Sequence, residues 1–365
     1  LKAGIRALGG IQAFIKTDEK VLVKPNFLAA ASPDKAVTTH PVVIEALFQI
    51  LSEEGYKNVK YGDSPGRGSC EAAAKKIDLL DIAEAYGVER ADMETDVVVD
   101  FPEGMTATSF HFAKGVTEAD AIINLCKMKT HALERITGAV KNVYGFVCGA
   151  HKAAGHVVYP NAGIFARQLA DIHRATDIRL HIMDGIVAME GNGPSSGDPV
   201  PMDVMLVSTD PVALDTVFCE MINLDPQLVP TCTQGAAMDI GTDDINNIDM
   251  VLVDGKFIKE IDVDRLKLLF GDPYFKVDRA GNSKSLVGRV SGVASVMAKK
   301  PYIDKKLCVS CGVCVEHCPL PDKAITFKDG VVGAKVPPVY DYKKCIRCFC
   351  CQEMCPEKAI KVKYF

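Results

Sequence analysis

Nine of the 14 cysteines crowd between positions 308 and 355, and their spacing is that of metal ligands. The run CVSCGVCVEHCP (308–319) recurs 37 residues later as CIRCFCCQEMCP (345–356), and DKAI (322–325) recurs as EKAI (357–360). Each run is C-x2-C-x2-C-x3-C-P. In such a run three neighbouring thiolates wrap one cubic iron-sulfur cluster, and the fourth, followed by proline, reaches across to the other cluster. The spacing therefore predicts two 4Fe-4S clusters. The first would be held by Cys308, Cys311, Cys314 and Cys355, the second by Cys345, Cys348, Cys351 and Cys318. Pro319 and Pro356 turn the chain away after each crossing ligand, and the repeat predicts two halves about a pseudo-twofold axis. Zinc is the weaker reading, because it wants two separated C-x-x-C pairs per ion and these eight thiolates do not group that way. Cys350, with no partner in the repeat, reads as a bystander thiol.

This tail resembles bacterial-type two-cluster ferredoxins over residues 301–365. The resemblance implies an α+β ferredoxin-like domain that moves single electrons at low potential, as the whole working end or as a wire into another site. The stretch 299–365 holds 13 Lys/Arg against 7 Asp/Glu in a chain of net charge −5. Cations of this kind balance anionic clusters, and nucleic-acid binding is the inferior reading.

Upstream, polar segments sit where strands should end, which is where open α/β sheets place ligands. They include KPN (24–26), GDSPG (62–66), NLCKMKTH (124–131), TGAVKN (137–142), MEGNGP (189–194) and DPVALD (210–215). Lys24, Lys127, Lys129, Lys141 and His131 are expected to carry charge neutralisation and proton transfer at an anion such as a carboxylate or phosphate. Asp63, Asn142, His151, His156, Glu190 and Asn192 are expected to bind a cofactor or ligand. The plain alternatives are solvated lysines at 127 and 129, histidines that cap backbone at 151 and 156, and Asp210 as an N-cap ahead of Pro211. Cys126 and Cys148 read as small hydrophobes. No Walker A or G-x-G-x-x-G sequence occurs, so a nucleotide fold has no motif to rest on. At the segments just quoted the body resembles the family called domain of unknown function 362, over most of residues 20–270. That resemblance names fold relatives that carry ferredoxin tails and leaves the reaction open.

The elements that must position these residues read as βαβ grammar, with β-branched runs at 21–26, 59–64, 119–125, 181–189, 202–210 and 250–254 and helical patterns between them. The predicted fold is α/β, a mixed and largely parallel sheet with flanking helices, followed by the ferredoxin-like domain. Three short β-like pieces at 88–115 suggest an antiparallel insertion. The organisation expected is a body at 1–279, a Gly/Ser/Lys-rich linker at 280–300 and the cluster domain at 301–365. The composition, 48% apolar and 24% charged with no Trp, is that of a globular chain. No apolar run spans a bilayer and no signal-peptide pattern opens the sequence, so a reducing, cytoplasmic setting is expected.

Three functions follow as expectations. The first is a redox enzyme or subunit whose tail feeds a Lys/His-lined anion pocket, with a small anionic substrate or a redox partner protein. The second is a non-catalytic carrier or docking module. The third is hydrolytic metal chemistry at Asp63, Asp184 and Glu190. A further organic cofactor or metal in the body is left open, as is the oligomeric state.

Overall fold

A computed structural model describes residues 1–149, 151–280, 299–328, 332–333 and 336–364. The expected linker at 280–300 lies almost wholly outside the described residues.

Five of the six β-branched runs enter one mixed, largely parallel sheet, which has seven strands. Its strands are β1 (Val21–Pro25), β2 (Val59–Tyr61), β3 (Glu89–Arg90), β6 (Ala121–His131), β7 (Arg135–Thr137), β8 (Ile178–Glu190) and β9 (Asp198–Ser208). The order is β3-β2-β1-β6-β8-β9, with β7 paired to β6. The first five of that path run parallel, while β9 and β7 are antiparallel additions. β1 and all 11 residues of β6 are buried, as befits strands covered on both faces.

From β1 the chain runs outward through β2 to β3, then returns to place β6 on the other side of β1. The junction of β1 and β6 is thus the point where strand order reverses, and the carboxyl ends there open a crevice. The expected antiparallel insertion is the ribbon β4 (Asp96–Asp100) and β5 (Ser109–Ala113), but the first of the three pieces, β3, joins the main sheet through β2 instead. The run at 250–254 also departs from expectation. As β10 (Met250–Asp254) it pairs only with β11 (Phe257–Ile261), in a largely exposed ribbon apart from the sheet.

Helices Pro41–Glu53, Ala162–Arg174 and Pro211–Met221 cover the sheet with buried Leu47, Phe48, Phe165, Leu169 and Phe218. Asp210 caps the last of these by accepting from Val212 and Ala213 N–H at 2.8 Å. In the tail, β12 (Lys300–Ile303) pairs with β15 (Ile360–Lys363), and β13 (Ile325–Thr326) with β14 (Val339–Tyr340). One short helix follows in each cysteine run, Val313–Glu316 and Cys350–Glu353. Among the described residues no helix is long and apolar enough to cross a membrane.

Candidate functional site

The carboxyl ends of β1 and β6 carry a row of buried polar groups, each with a named partner. Lys24, 1% exposed, faces Asp63 Oδ1 at 3.0 Å and donates to Asn142 Oδ1 at 2.9 Å. Lys127 pairs with Asp184 Oδ2 at 2.7 Å. Lys129 donates to Asn26 Oδ1 and to the Val37 carbonyl, both at 2.7 Å. Asn142, on helix Ala139–Asn142, receives Asn26 Nδ2 at 2.8 Å and donates to Asn124 Oδ1 at 2.7 Å. That helix is fixed from behind by Asp215, which accepts from Ala139 and Val140 N–H. Burial lowers the pKa of Lys24 and Lys127 while their carboxylates hold it up. Among the described residues Lys129 has no carboxylate partner, and burial followed by the nearby Lys141 and Lys127 pulls it well below the usual range.

Lys24, Asn26, Lys129 and Asn142 form part of one wall of a cavity of about 540 Å³ whose other wall is the tail, whereas Lys127 and His131, two of the expected catalytic residues, lie outside it. The body contributes Lys24, Asp63, Lys129, Lys141, Asn142, Lys152 and His156, and the tail contributes Glu316, His317, Cys318, Lys323, Cys350 and Glu353. Gly145 admits the Lys24–Asp63 pair, because a β-carbon there would collide with both side chains. Lys141 lies 5.7 Å above the rings of Tyr144 and Phe165 and has no hydrogen-bond or ion-pair partner among the described residues. His156 stacks on Phe165, and its buried Nδ1 has no partner. Burial, against the opposing pull of Glu353, lowers His156 to about 4, so the ring is neutral. The half-buried Lys152 is lowered to about 7 by burial, although Asp63 opposes the shift.

His131 joins body to tail. Its Nδ1 accepts from Leu133 and Glu134 N–H at 3.1 and 3.0 Å, so its proton sits on Nε2, 2.8 Å from Glu353 Oε1. Burial and then Lys141 lower His131 to about 4. The direction that follows for the pair is a neutral imidazole beside an ionised Glu353. Glu134 is fully buried with both carboxyl oxygens unpartnered, and burial raises it to about 8.

Three expected ligand-binding residues lie outside the cavity. Glu190 holds Lys276, accepting from its backbone N–H and pairing with its ammonium, each at 2.7 Å. Asn192 donates to the Ile360 carbonyl at 3.0 Å and receives Gln352 Nε2 at its carbonyl at 2.9 Å. The MEGNGP stretch is therefore a seam that grips the tail, helped by Ser195 Oγ donating to the Glu353 carbonyl at 2.6 Å. His151 turns away from the cavity towards Asp96. Asp63, Asp184 and Glu190 each hold a different lysine, so the three carboxylates share no coordination sphere. Sequence reading passed over Lys152, Glu134, Tyr144 and Glu353. Lys152 stood in plain view between His151 and His156, whereas Glu353 has no local signal at all.

In the tail, Cys308, Cys311, Cys314 and Cys355 line one small hollow, the set that the repeat assigns to the first cluster. Cys348 and Cys318 are electrostatic neighbours of Cys345, which brings three of the second set together. Among the described residues, the donor triad whose atoms all lie within 4.8 Å of one another contains no cysteine. Thiolates on one zinc ion, with Zn–S at about 2.3 Å, would approach to about 3.8 Å. The described cysteines are thus spread more widely than a single zinc ion would hold them.

Residues 21–220 match the family described as Domain of unknown function (DUF362), and residues 300–356 match the 4Fe-4S dicluster domain. Over 238 residues the chain is 36% identical to a thylakoid-associated protein of Synechocystis sp., covering 63% of this chain and 71% of that relative.

Proposed function

The chain belongs to the DUF362 family and carries a 4Fe-4S dicluster domain for electron transfer, and from that premise we propose an oxidoreductase whose tail exchanges electrons with a small anion held in the body's cavity. The observation that carries the reading is the composition of the cavity wall. Lys24, Lys129, Lys141 and Lys152 face it from the body, and Cys318, an expected ligand of the second cluster, faces it from the tail. The clusters, when bound, supply electrons one at a time. The chain's own residues do the rest. Lys141 offers an ammonium free for a charge-assisted bond to an anionic group. Lys152, with a pKa lowered to about 7, holds or gives up a proton near neutrality. The neutral His156 presents an unpartnered buried Nδ1. The tail supplies the cavity's far wall.

The test is an anaerobic iron and sulfide analysis of the purified chain, mass analysis of anything released on denaturation, and calorimetric titration with oxalate. About eight irons are expected, with oxalate bound and Lys141→Gln weakening it. Eight irons with no oxalate binding and no released cofactor would overturn the enzyme reading.

The thylakoid association of the Synechocystis relative favours a second reading, in which the chain is an electron carrier that works at a membrane surface. That reading expects co-sedimentation with membranes and an indifferent cavity.

A further inference from the structure

We propose that Asp96, His111 and His151 form a binding site for a divalent transition-metal ion, zinc foremost. Asp96 opens β4 and His111 sits on β5, where the register Asp96↔Ala113 and Val98↔His111 makes the two residues diagonal neighbours on one face of the ribbon. His151 is the first residue of helix His151–Val158, brought alongside by the Cys148 N–H bond to the His111 carbonyl at 2.9 Å. Asp96 Oδ2 lies 2.9 Å from His111 Nδ1 and 3.1 Å from His151 Nε2. All three donor atoms fall within 4.8 Å of one another, the triad among the described residues that does so.

Imidazole nitrogen and carboxylate oxygen sit about 2.0–2.2 Å from zinc, which puts adjacent tetrahedral ligands about 3.3–3.6 Å apart. The two Asp96 contacts, at 2.9 and 3.1 Å, need open by only a few tenths of an ångström to admit the ion. The two imidazoles stack at 3.6 Å, 6° from parallel, so one must swing off the other before both lone pairs meet an ion. Their side chains are 40% and 42% exposed, so that rotation moves into solvent. Two imidazoles and one carboxylate suit zinc, copper or nickel over magnesium or calcium. Zinc itself imposes no electronic geometry and accepts three protein ligands plus water.

The ion would tie the ribbon to the helix whose next residues, Lys152 and His156, line the cavity. It would set the cavity wall from outside without touching a ligand there. The site stands whether or not the cavity binds an anion.

The test uses the full chain with its iron-sulfur clusters in place, treated anaerobically with chelator and then dialysed against zinc chloride. One zinc per chain beyond the iron is expected. The double variant His111→Asn/His151→Asn should weaken zinc binding by about tenfold or more, with iron content and visible spectrum unchanged. Amide exchange across residues 151–158 should slow on zinc addition in the wild type and not in the variant. Asp96→Asn alone, which keeps the shape, should lower affinity in the same direction. Equal zinc retention in wild type and both variants, meaning an adventitious ion only, would overturn the proposal, as would no zinc retained by the wild type.

Discussion

The two cysteine runs share a motif and a backbone course, yet meet different surroundings. Ser310 and Arg347, 37 positions apart, have left-handed φ of 57° and 60°, and Gly312 and Phe349 have 82° and 63°. The helices Val313–Glu316 and Cys350–Glu353 begin at matching positions, so Cys350 stands where the first run has Val313, in keeping with a small packing residue. What differs is the neighbour. Of the first expected ligand set Cys311 is exposed, Cys308 and Cys355 are half-buried and Cys314 is buried, whereas of the second Cys345 is half-buried and Cys318, Cys348 and Cys351 are buried. Gln352 is wholly buried against Asn192 and Gly193 of the body. The second lysines diverge in the same way, since Lys323 donates to the Cys318 carbonyl and Lys358 to Gly197 of the body. A repeat can thus dictate ligand geometry for both halves while the body assigns the roles. Of the two expected ligand sets, the first, or outer, is the more exposed, and the second, or inner, sends Cys318 into the cavity wall, which both runs help to build.

The comparison breaks most visibly at the ligands. Cys348→Ser should lower iron from about eight to about four per chain and abolish electron delivery to the cavity. Cys311→Ser should lose a similar share of iron while leaving the inner cluster's spectrum in place. Equal effects of both changes on the inner spectrum would erase the distinction.

Next in size is the crevice framework. Lys24→Met leaves Asp63 as a buried carboxylate without its cation, and is expected to cost about 3–5 kcal/mol in chemical denaturation. A loss below about 1 kcal/mol would mean that the pair is hydrated.

Lys141→Gln removes the cation that has no ion-pair partner, so the fold should hold while oxalate affinity falls about 10- to 100-fold. The smallest expected effect concerns pH. Lys152, protonated below about 7 and neutral above it, favours an anion on the acid side. Oxalate keeps constant charge over this range, so its affinity should fall as pH rises past 7, by at most about tenfold per unit. Lys152→Gln should flatten that profile.

Much of the fold was legible because its signals are local. The β-branched runs mark the strands, the cysteine spacing marks the tail, and the Asp210–Pro211 pair marks a helix start. The crevice was half legible. Lys24, Lys129 and Asn142 lie at strand and helix ends that a parallel sheet brings together, but their side-chain partners come from 18 to 118 positions away, as Asn142 with Asn124 and Lys24 with Asn142 illustrate. The Gly-rich turn at 190–194 looked like a ligand loop because close backbone approach serves a ligand and a packed domain alike. Glu353 was beyond reach, since its position against His131 depends on how the tail docks.

The most direct measurement of the central claim is the electron paramagnetic resonance spectrum of the reduced holoprotein with and without oxalate, with Cys311→Ser used to assign the inner cluster's signal. The account predicts that oxalate perturbs the inner signal and leaves the outer one unchanged. An oxalate response confined to the outer signal, or no response from either at saturating oxalate, would contradict it.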